Sequence, residues 1–190
     1  QVGELSRASG SNFGISLGLT AATNLLNVTS GDEVTNATVS RNRVAAVSSP
    51  STTGFSAVGI QVGPTLSGTN TIVNNMVSGV TSPATPSDAT MGMFVIDSVG
   101  TTRILFNSVS LTGARGGASN PSFALAIKAF EPGVEVLGNA LSNTQTSTAA
   151  GKTYAIGLSA PSLTGFVSDR NDLYVEGDSS RVGILGRFRV

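Results

Sequence analysis

The chain has 190 residues, a formal charge of zero and 12% charged residues, and it contains neither cysteine nor histidine. The missing cysteines exclude disulfides and thiolate chemistry, and the missing histidines remove the commonest general base and metal ligand. Such a weakly charged chain predicts no nucleic-acid partner, and its apolar runs are too short to predict a membrane span.

The first predicted strand begins near Phe13, and its alternation of apolar residues recurs along the whole chain. A period of two is typical of β-strands. The alternating segments are residues 15–19, 58–62, 91–95, 123–127, 154–158 and 182–184. In each segment we expect the alternate apolar residues to face one common core. Stretches rich in Gly, Ser and Pro separate the segments, as turns require.

A second predicted element follows each alternating strand and is marked by an asparagine. The asparagines are 32 or 33 residues apart: Asn42, Asn75, Asn107, Asn139 and Asn171. An apolar residue stands two positions after each asparagine, and Val or Ile stands three positions before the first four. Both columns can enter one core only if the chain bends between them, because their separation is odd. Since asparagine tolerates the left-handed conformation, we expect the bend at the asparagine itself.

A period near 32 predicts a solenoid with three short strands in each turn. The predicted fold is all-β, a right-handed parallel β-helix of about six rungs of roughly 32 residues. Residues 1–190 are expected to form a single domain that is a fragment or repeat unit of a larger protein. The asparagine side chains should form a ladder, each bonded to the backbone or to the next asparagine. An antiparallel sandwich would not need the period, and a leucine-rich repeat has a shorter one.

Several segments of the chain carry a resemblance to a known family. They are ILFNSVSLTGARGGASNPSFALAIKAF, VEVLGNALSNT, GKTYAIGL and SDRNDLYVEG. These segments resemble the right-handed β-helix repeat regions of very large secreted bacterial surface proteins, within the pectate-lyase-like β-helix superfamily. The resemblance is best over residues 90–185. It implies the same fold and an exported, repetitive, cell-surface context, and it implies no site residues.

Acidic residues near the last asparagine are the candidates for a metal site. Asp169 and Asp172 form a weak calcium candidate, and the simpler interpretation is a solvated terminal turn. The sequence contains no arrangement of residues that is typical of a catalytic site. We therefore predict neither an enzymatic activity nor a cofactor.

One outward-facing stripe is unexpectedly apolar. Two residues before their asparagines stand Val73, Leu105 and Leu137, and Phe106 lies next to a corner. Either a long loop covers such a stripe or it is an interface. On the same face, Arg103 and Glu135 are expected to be neighbours on adjacent rungs. Phe94 and Phe130 also lie out of phase with the inward residues of their strands.

The predicted function is that of a non-enzymatic structural or adhesive module at the bacterial cell surface or in the extracellular space. The expected partners are further repeats of the same or a neighbouring polypeptide, copies that stack end to end or laterally, and surface glycans. The alternative is a β-helix that binds or cleaves carbohydrate. A groove lined by exposed Tyr or Trp and by paired carboxylates would favour this alternative.

Overall fold

The chain forms strands and turns throughout the part that the structure describes. The computed structural model describes residues 5–6, 11–18, 33–50, 55–65, 67–83, 89–97, 100–129, 133–159, 163–177 and 182–187. Within these ranges there are eighteen strands and no helix. Residue 19 of the first alternating segment and Phe130 lie outside them.

Three parallel sheets run along the molecule. Sheet 1 contains β3 (Thr38–Ser40), β7 (Thr69–Val73), β10 (Thr101–Leu105), β13 (Val134–Leu137) and β16 (Val167–Asp169). Sheet 2 contains β4 (Arg43–Ala45), β8 (Met76–Ser78), β11 (Ser108–Leu111), β14 (Ala140–Asn143) and β17 (Asp172–Val175). Sheet 3 contains β2 (Asn12–Leu17), β6 (Ala57–Thr65), β9 (Thr90–Asp97), β12 (Ser122–Ala129), β15 (Thr153–Leu158) and β18 (Val182–Arg187). A short parallel pair joins β1 (Leu5–Ser6) to β5 (Val47–Ser48).

Neighbouring strands in each sheet come from successive turns of the chain, which confirms the predicted parallel β-solenoid. Equivalent residues are 33 apart in one turn and 32 apart in the next three. The turn that joins β2 to β6 is longer, at 45 residues. The six rungs counted from the sequence correspond to the six strands of sheet 3, and about four of the turns are regular.

Stacked aliphatic side chains fill the interior of the solenoid. The column that follows the asparagines contains Val44, Val77, Val109, Leu141 and Leu173. The column that precedes them contains Val39, Ile72, Ile104 and Val136, with Ser168 in the last turn. Val39, Val44 and their equivalents as far as Leu141 are buried in one continuous core. Burying one such side chain stabilises the fold by roughly 1.5–3 kcal/mol.

The bend at each corner lies one residue earlier than the sequence predicted. A left-handed backbone, with φ between 54° and 66°, occurs at Arg41, Asn74, Phe106, Gly138 and Arg170. Each of these residues immediately precedes an asparagine of the predicted column. The asparagine keeps an ordinary backbone because its side chain must point inward to reach its partners. The residue before it therefore takes the left-handed conformation. This conformation costs a residue with a Cβ roughly 1–2 kcal/mol of conformational free energy.

Sheet 3 is apolar on both faces, which corrects the prediction of one inward-facing row. Ile60, Met93, Leu125 and Ile156 belong to the interior core. The residues two positions before them belong to a second cluster: Val58, Met91, Phe123 and the partly buried Tyr154. The alternation fails because Gly59, between Val58 and Ile60, also faces inward, where a Cβ would overlap Val77. Two consecutive inward positions shift the phase of the strand.

The outer cluster of sheet 3 accounts for the phenylalanine that was out of phase. Phe94 is fully buried in it. The rings of Phe123 and Tyr154 stack with centroids 5.6 Å apart and planes at 12°. The Phe123 ring lies where a Cβ on Gly157 would be, so the aromatic column requires a glycine in the next strand.

Candidate functional site

The five asparagines of the predicted column form a continuous hydrogen-bonded ladder. In every step, the backbone N–H and the side-chain Nδ2 of one asparagine both donate to Oδ1 of the next, at 2.9–3.0 Å. The members, in order, are Asn42, Asn75, Asn107, Asn139 and Asn171. The ladder thus joins each corner to the corner one turn further on.

The same amides also hold the strands of sheet 1. Nδ2 of Asn75 donates to the carbonyl of Val39 at 2.9 Å, and Nδ2 of Asn107 donates to that of Ile72 at 2.8 Å. Asn139 repeats this contact with the carbonyl of Ile104 at 2.8 Å. Because the three central asparagines are buried, an unpaired amide there would cost about 1–3 kcal/mol. A register shift of one strand would break several of these bonds at once.

The apolar stripe on the outer face of sheet 1 is only partly covered. Val73, Leu105 and Leu137 lie in register on successive strands, and each is half-buried. Phe106 is 61% exposed, and its ring packs against the backbone of Gly138. Arg103 Nε and Glu135 Oε2 lie 2.9 Å apart on adjacent strands. Because this ion pair faces solvent, it contributes little to stability.

The two aspartates of the calcium candidate lie on different sheets. Asp169 ends β16, where its carboxylate lies 3.4 Å from Nε of Arg170. Asp172 begins β17 and belongs to an outward-facing column of sheet 2. Among the described residues, no group of three or more His, Cys, Asp and Glu side chains could hold a metal ion. We do not propose a calcium site.

The outer face of sheet 2 forms a shallow groove of about 290 Å³, which the sequence analysis did not identify. Two outward-facing columns cross this face, one on each side of the inward Val44 column. The first contains the residue after each asparagine: Arg43, Met76, Ser108, Ala140 and Asp172. The second contains the residue three after each asparagine: Ala45, Ser78, Ser110, Ser142 and Tyr174. Alternation about the inward column was the signal in the sequence that could have revealed them.

Small side chains line the floor of the groove, and large side chains lie towards its ends. Ser108, Ala140 and the serines of the second column line the centre. Met76 is 58% exposed and Tyr174 is 51% exposed. The Tyr174 hydroxyl donates to Glu176 Oε2 at 3.2 Å, and this hydrogen bond raises the pKa of Tyr174. The arrangement can accommodate side chains of a partner along the solenoid axis.

Two basic side chains are buried away from this groove. Arg115 is 1% exposed; its Nη1 donates to the carbonyl of Asn120 at 2.7 Å and its Nη2 to that of Lys152 at 3.3 Å. Burial lowers the pKa of Arg115 to about 10, so the guanidinium remains charged at neutral pH. Burial also lowers the pKa of Lys128, which is in register with Ile96 on sheet 3. The contacts of Arg115 join two loops of successive turns.

Arg115→Ala is expected to lower the free energy of unfolding by about 2 kcal/mol, because the carbonyl of Asn120 loses the guanidinium as a donor and that of Lys152 keeps only the N–H of Ser122. Chemical denaturation measures the loss. The control is Lys152→Ala, which removes an exposed basic side chain from the neighbouring loop and should change stability by less than about 0.5 kcal/mol. If the two variants are equally stable, the guanidinium does not hold the loops together.

Comparisons with known proteins add no further assignment. A scan against protein-family models, a search of curated proteins and a search of solved structures each found no match to this chain. Within the ranges described, no helix is long and apolar enough to cross a membrane. Parallel β-solenoids serve both enzymes and structural proteins, so the fold alone does not decide between these functions.

Proposed function

We propose that this chain is a non-enzymatic structural module of an extracellular bacterial surface protein. In this role it forms a stiff segment of β-solenoid and presents its outer faces for adhesion. The observation that carries the proposal is the asparagine ladder, which links five successive corners through paired hydrogen bonds. Separating two turns along the axis would break these bonds together with the strand pairs of three sheets.

The outer surface supports an extracellular role. Only 12% of the residues are charged, and small hydroxyl side chains such as Ser78, Ser110 and Ser142 occupy the outward positions of sheet 2. Segments such as LFNSVSLTG and SDRNDLYV also resemble repeats of secreted bacterial surface proteins. The partners that we propose are further repeats of the same or a neighbouring polypeptide and, for adhesion, surface glycans.

Immunogold labelling of the source bacterium tests the location. An antibody raised against the purified chain should label intact, unpermeabilised cells or the material they release. Labelling that requires permeabilisation would contradict an extracellular role. In parallel, the purified chain is incubated with a panel of soluble polysaccharides. Release of reducing ends or unsaturated products, absent from a heat-denatured sample, would overturn the non-enzymatic assignment and favour the polysaccharide-cleaving alternative.

A further inference from the structure

The outward face of sheet 2 is complementary to itself when its order of turns is reversed. In the first column, a positive residue stands at one end and a negative residue at the other, Arg43 and Asp172. The middle position is Ser108, and on either side of it stand the large Met76 and the small Ala140. Reversing the column therefore places opposite charges together and a large side chain over a small one.

The second column has the same property. Its ends are the small Ala45 and the large, 51%-exposed Tyr174. Ser78 and Ser142 occupy the intermediate positions, and Ser110 lies at the centre. Reversal places Tyr174 over Ala45 and each serine over another serine. Both columns thus have their centre on the same strand, β11.

We propose that two copies of this chain associate face to face through the outer surfaces of sheet 2, with their solenoid axes antiparallel. The two-fold axis lies between the copies and runs along β11. This operation keeps the strand direction and reverses the order of turns, so Arg43 of each copy meets Asp172 of the other. Met76 of each copy enters the groove over Ala140 of the other copy. Such an interface is isologous, as two-fold symmetry requires.

The size of the face determines the strength of the association. Five strands about 4.8 Å apart span about 24 Å. Two columns about 7 Å apart, with half a strand width of side chain on either side, span about 13 Å, so the contact on each copy covers roughly 300 Å². A standard stable interface buries about 800 Å² on each partner, so the dimer is weak, with a dissociation constant of about 0.1–1 mM. Two such faces carried at high local concentration on a surface would associate more strongly through avidity.

Charge reversal at the two ends of the groove tests the pairing. Sedimentation equilibrium from about 10 μM to 1 mM should show a monomer–dimer equilibrium for the natural sequence. Arg43→Asp and Asp172→Arg each place like charges together twice, and each should weaken dimerisation by about tenfold or more. The combined variant Arg43→Asp/Asp172→Arg restores the pairs and should recover the natural dissociation constant within about threefold.

Matched controls lie on the same turns outside the groove. Arg41→Asp and Asp169→Arg make the same charge changes at the corner and on sheet 1, where both residues are exposed, and they should leave the dissociation constant unchanged. If the combined groove variant is as weak as the single variants, the antiparallel register is wrong. A natural chain that is monomeric at all concentrations overturns the proposal, as does a groove that binds a soluble glycan while the chain stays monomeric.

Cross-linking tests the position of the two-fold axis independently. The chain has no cysteine, so each introduced thiol is unique. Positions 108 and 110 lie on the axis. In Ser108→Cys and in Ser110→Cys, a short bis-maleimide should therefore link the introduced cysteine to the same cysteine of the other copy, across about 10 Å between the facing sheets. Ser142→Cys should not join to itself, and should join to Ser78→Cys when the two variants are mixed. Equal self-cross-linking of Ser142→Cys and Ser110→Cys would exclude this axis.

Discussion

Asn107→Ala is expected to lower the free energy of unfolding by about 4 kcal/mol, because it opens the ladder at its centre. The side chain is 1% exposed. Its Nδ2 donates to the carbonyl of Ile72 and to Oδ1 of Asn139, and its Oδ1 accepts from the N–H and Nδ2 of Asn75. Alanine removes all four bonds and leaves the buried Asn75 N–H unpaired, whereas the Ile72 carbonyl lies within the paired strands of sheet 1. The unpaired N–H costs about 1–3 kcal/mol, and each of the other three bonds contributes about 1 kcal/mol.

Urea titration followed by circular dichroism measures this loss of free energy. In thermal unfolding, the same loss should lower the melting temperature by about 10 °C. The control is Ser110→Ala, since Ser110 is exposed on the outer face of sheet 2 and should change stability by less than about 0.5 kcal/mol. Asn42→Ala should cost less than Asn107→Ala, because Asn42 is only half-buried. Equal losses for Asn107→Ala and Ser110→Ala would show that the ladder does not hold the turns.

Gly92→Ala is expected to destabilise the chain by about 3 kcal/mol through overpacking. A Cβ on Gly92 would overlap Cγ1 of Val109 and lie 2.6 Å from the carbonyl oxygen of Ala124. The equivalent position of the preceding turn is Gly59, whose Cβ would overlap Cγ1 of Val77 in the same way. In both turns a valine of the inward column leaves no room for a methyl group.

The later turns show the compensating arrangement. Ala124 occupies the equivalent position in β12, and the inward residue of that turn is Leu141. A leucine branches one atom further from the backbone than valine and so leaves space at the position of the added Cβ. The double variant Gly92→Ala/Val109→Leu should therefore lose less unfolding free energy than the two single variants lose in sum, by about 1–2 kcal/mol.

A double-mutant cycle by chemical denaturation measures this coupling. Gly117→Ala is the matched control, because nothing lies within 4 Å of its added Cβ, and its stability should change by less than about 1 kcal/mol. If Gly92→Ala and Val109→Leu are simply additive, the steric link between the two columns is absent.

Much of the architecture was predictable because a solenoid repeats one set of constraints. The spacing of Asn42, Asn75 and their equivalents places the same side chain at the same corner of every turn. The flanking aliphatic residues identify the inward column, since only one phase of the strand buries them all. The parallel fold and the column of asparagines could therefore be predicted without coordinates.

The details of the corner and of sheet 3 could not be predicted from this pattern. Asparagine is common in left-handed turns, yet the bend falls on residues as different as Arg41, Phe106 and Gly138. The competing requirement is the inward amide, whose partners lie a full turn away. The inward position of Gly59 depends likewise on the Val77 side chain, which packs against it from another sheet.

The sequence by itself determined the period, the inward columns and the positions of the asparagines, because these features repeat along the chain and need no knowledge of distant contacts. The tertiary structure decided which residue bends each corner, which face of sheet 3 each apolar residue takes, and how the groove is formed. The groove joins Arg43 to Asp172 through five strands. The oppositely charged ends of the groove lie on one surface only because parallel pairing aligns those strands in register.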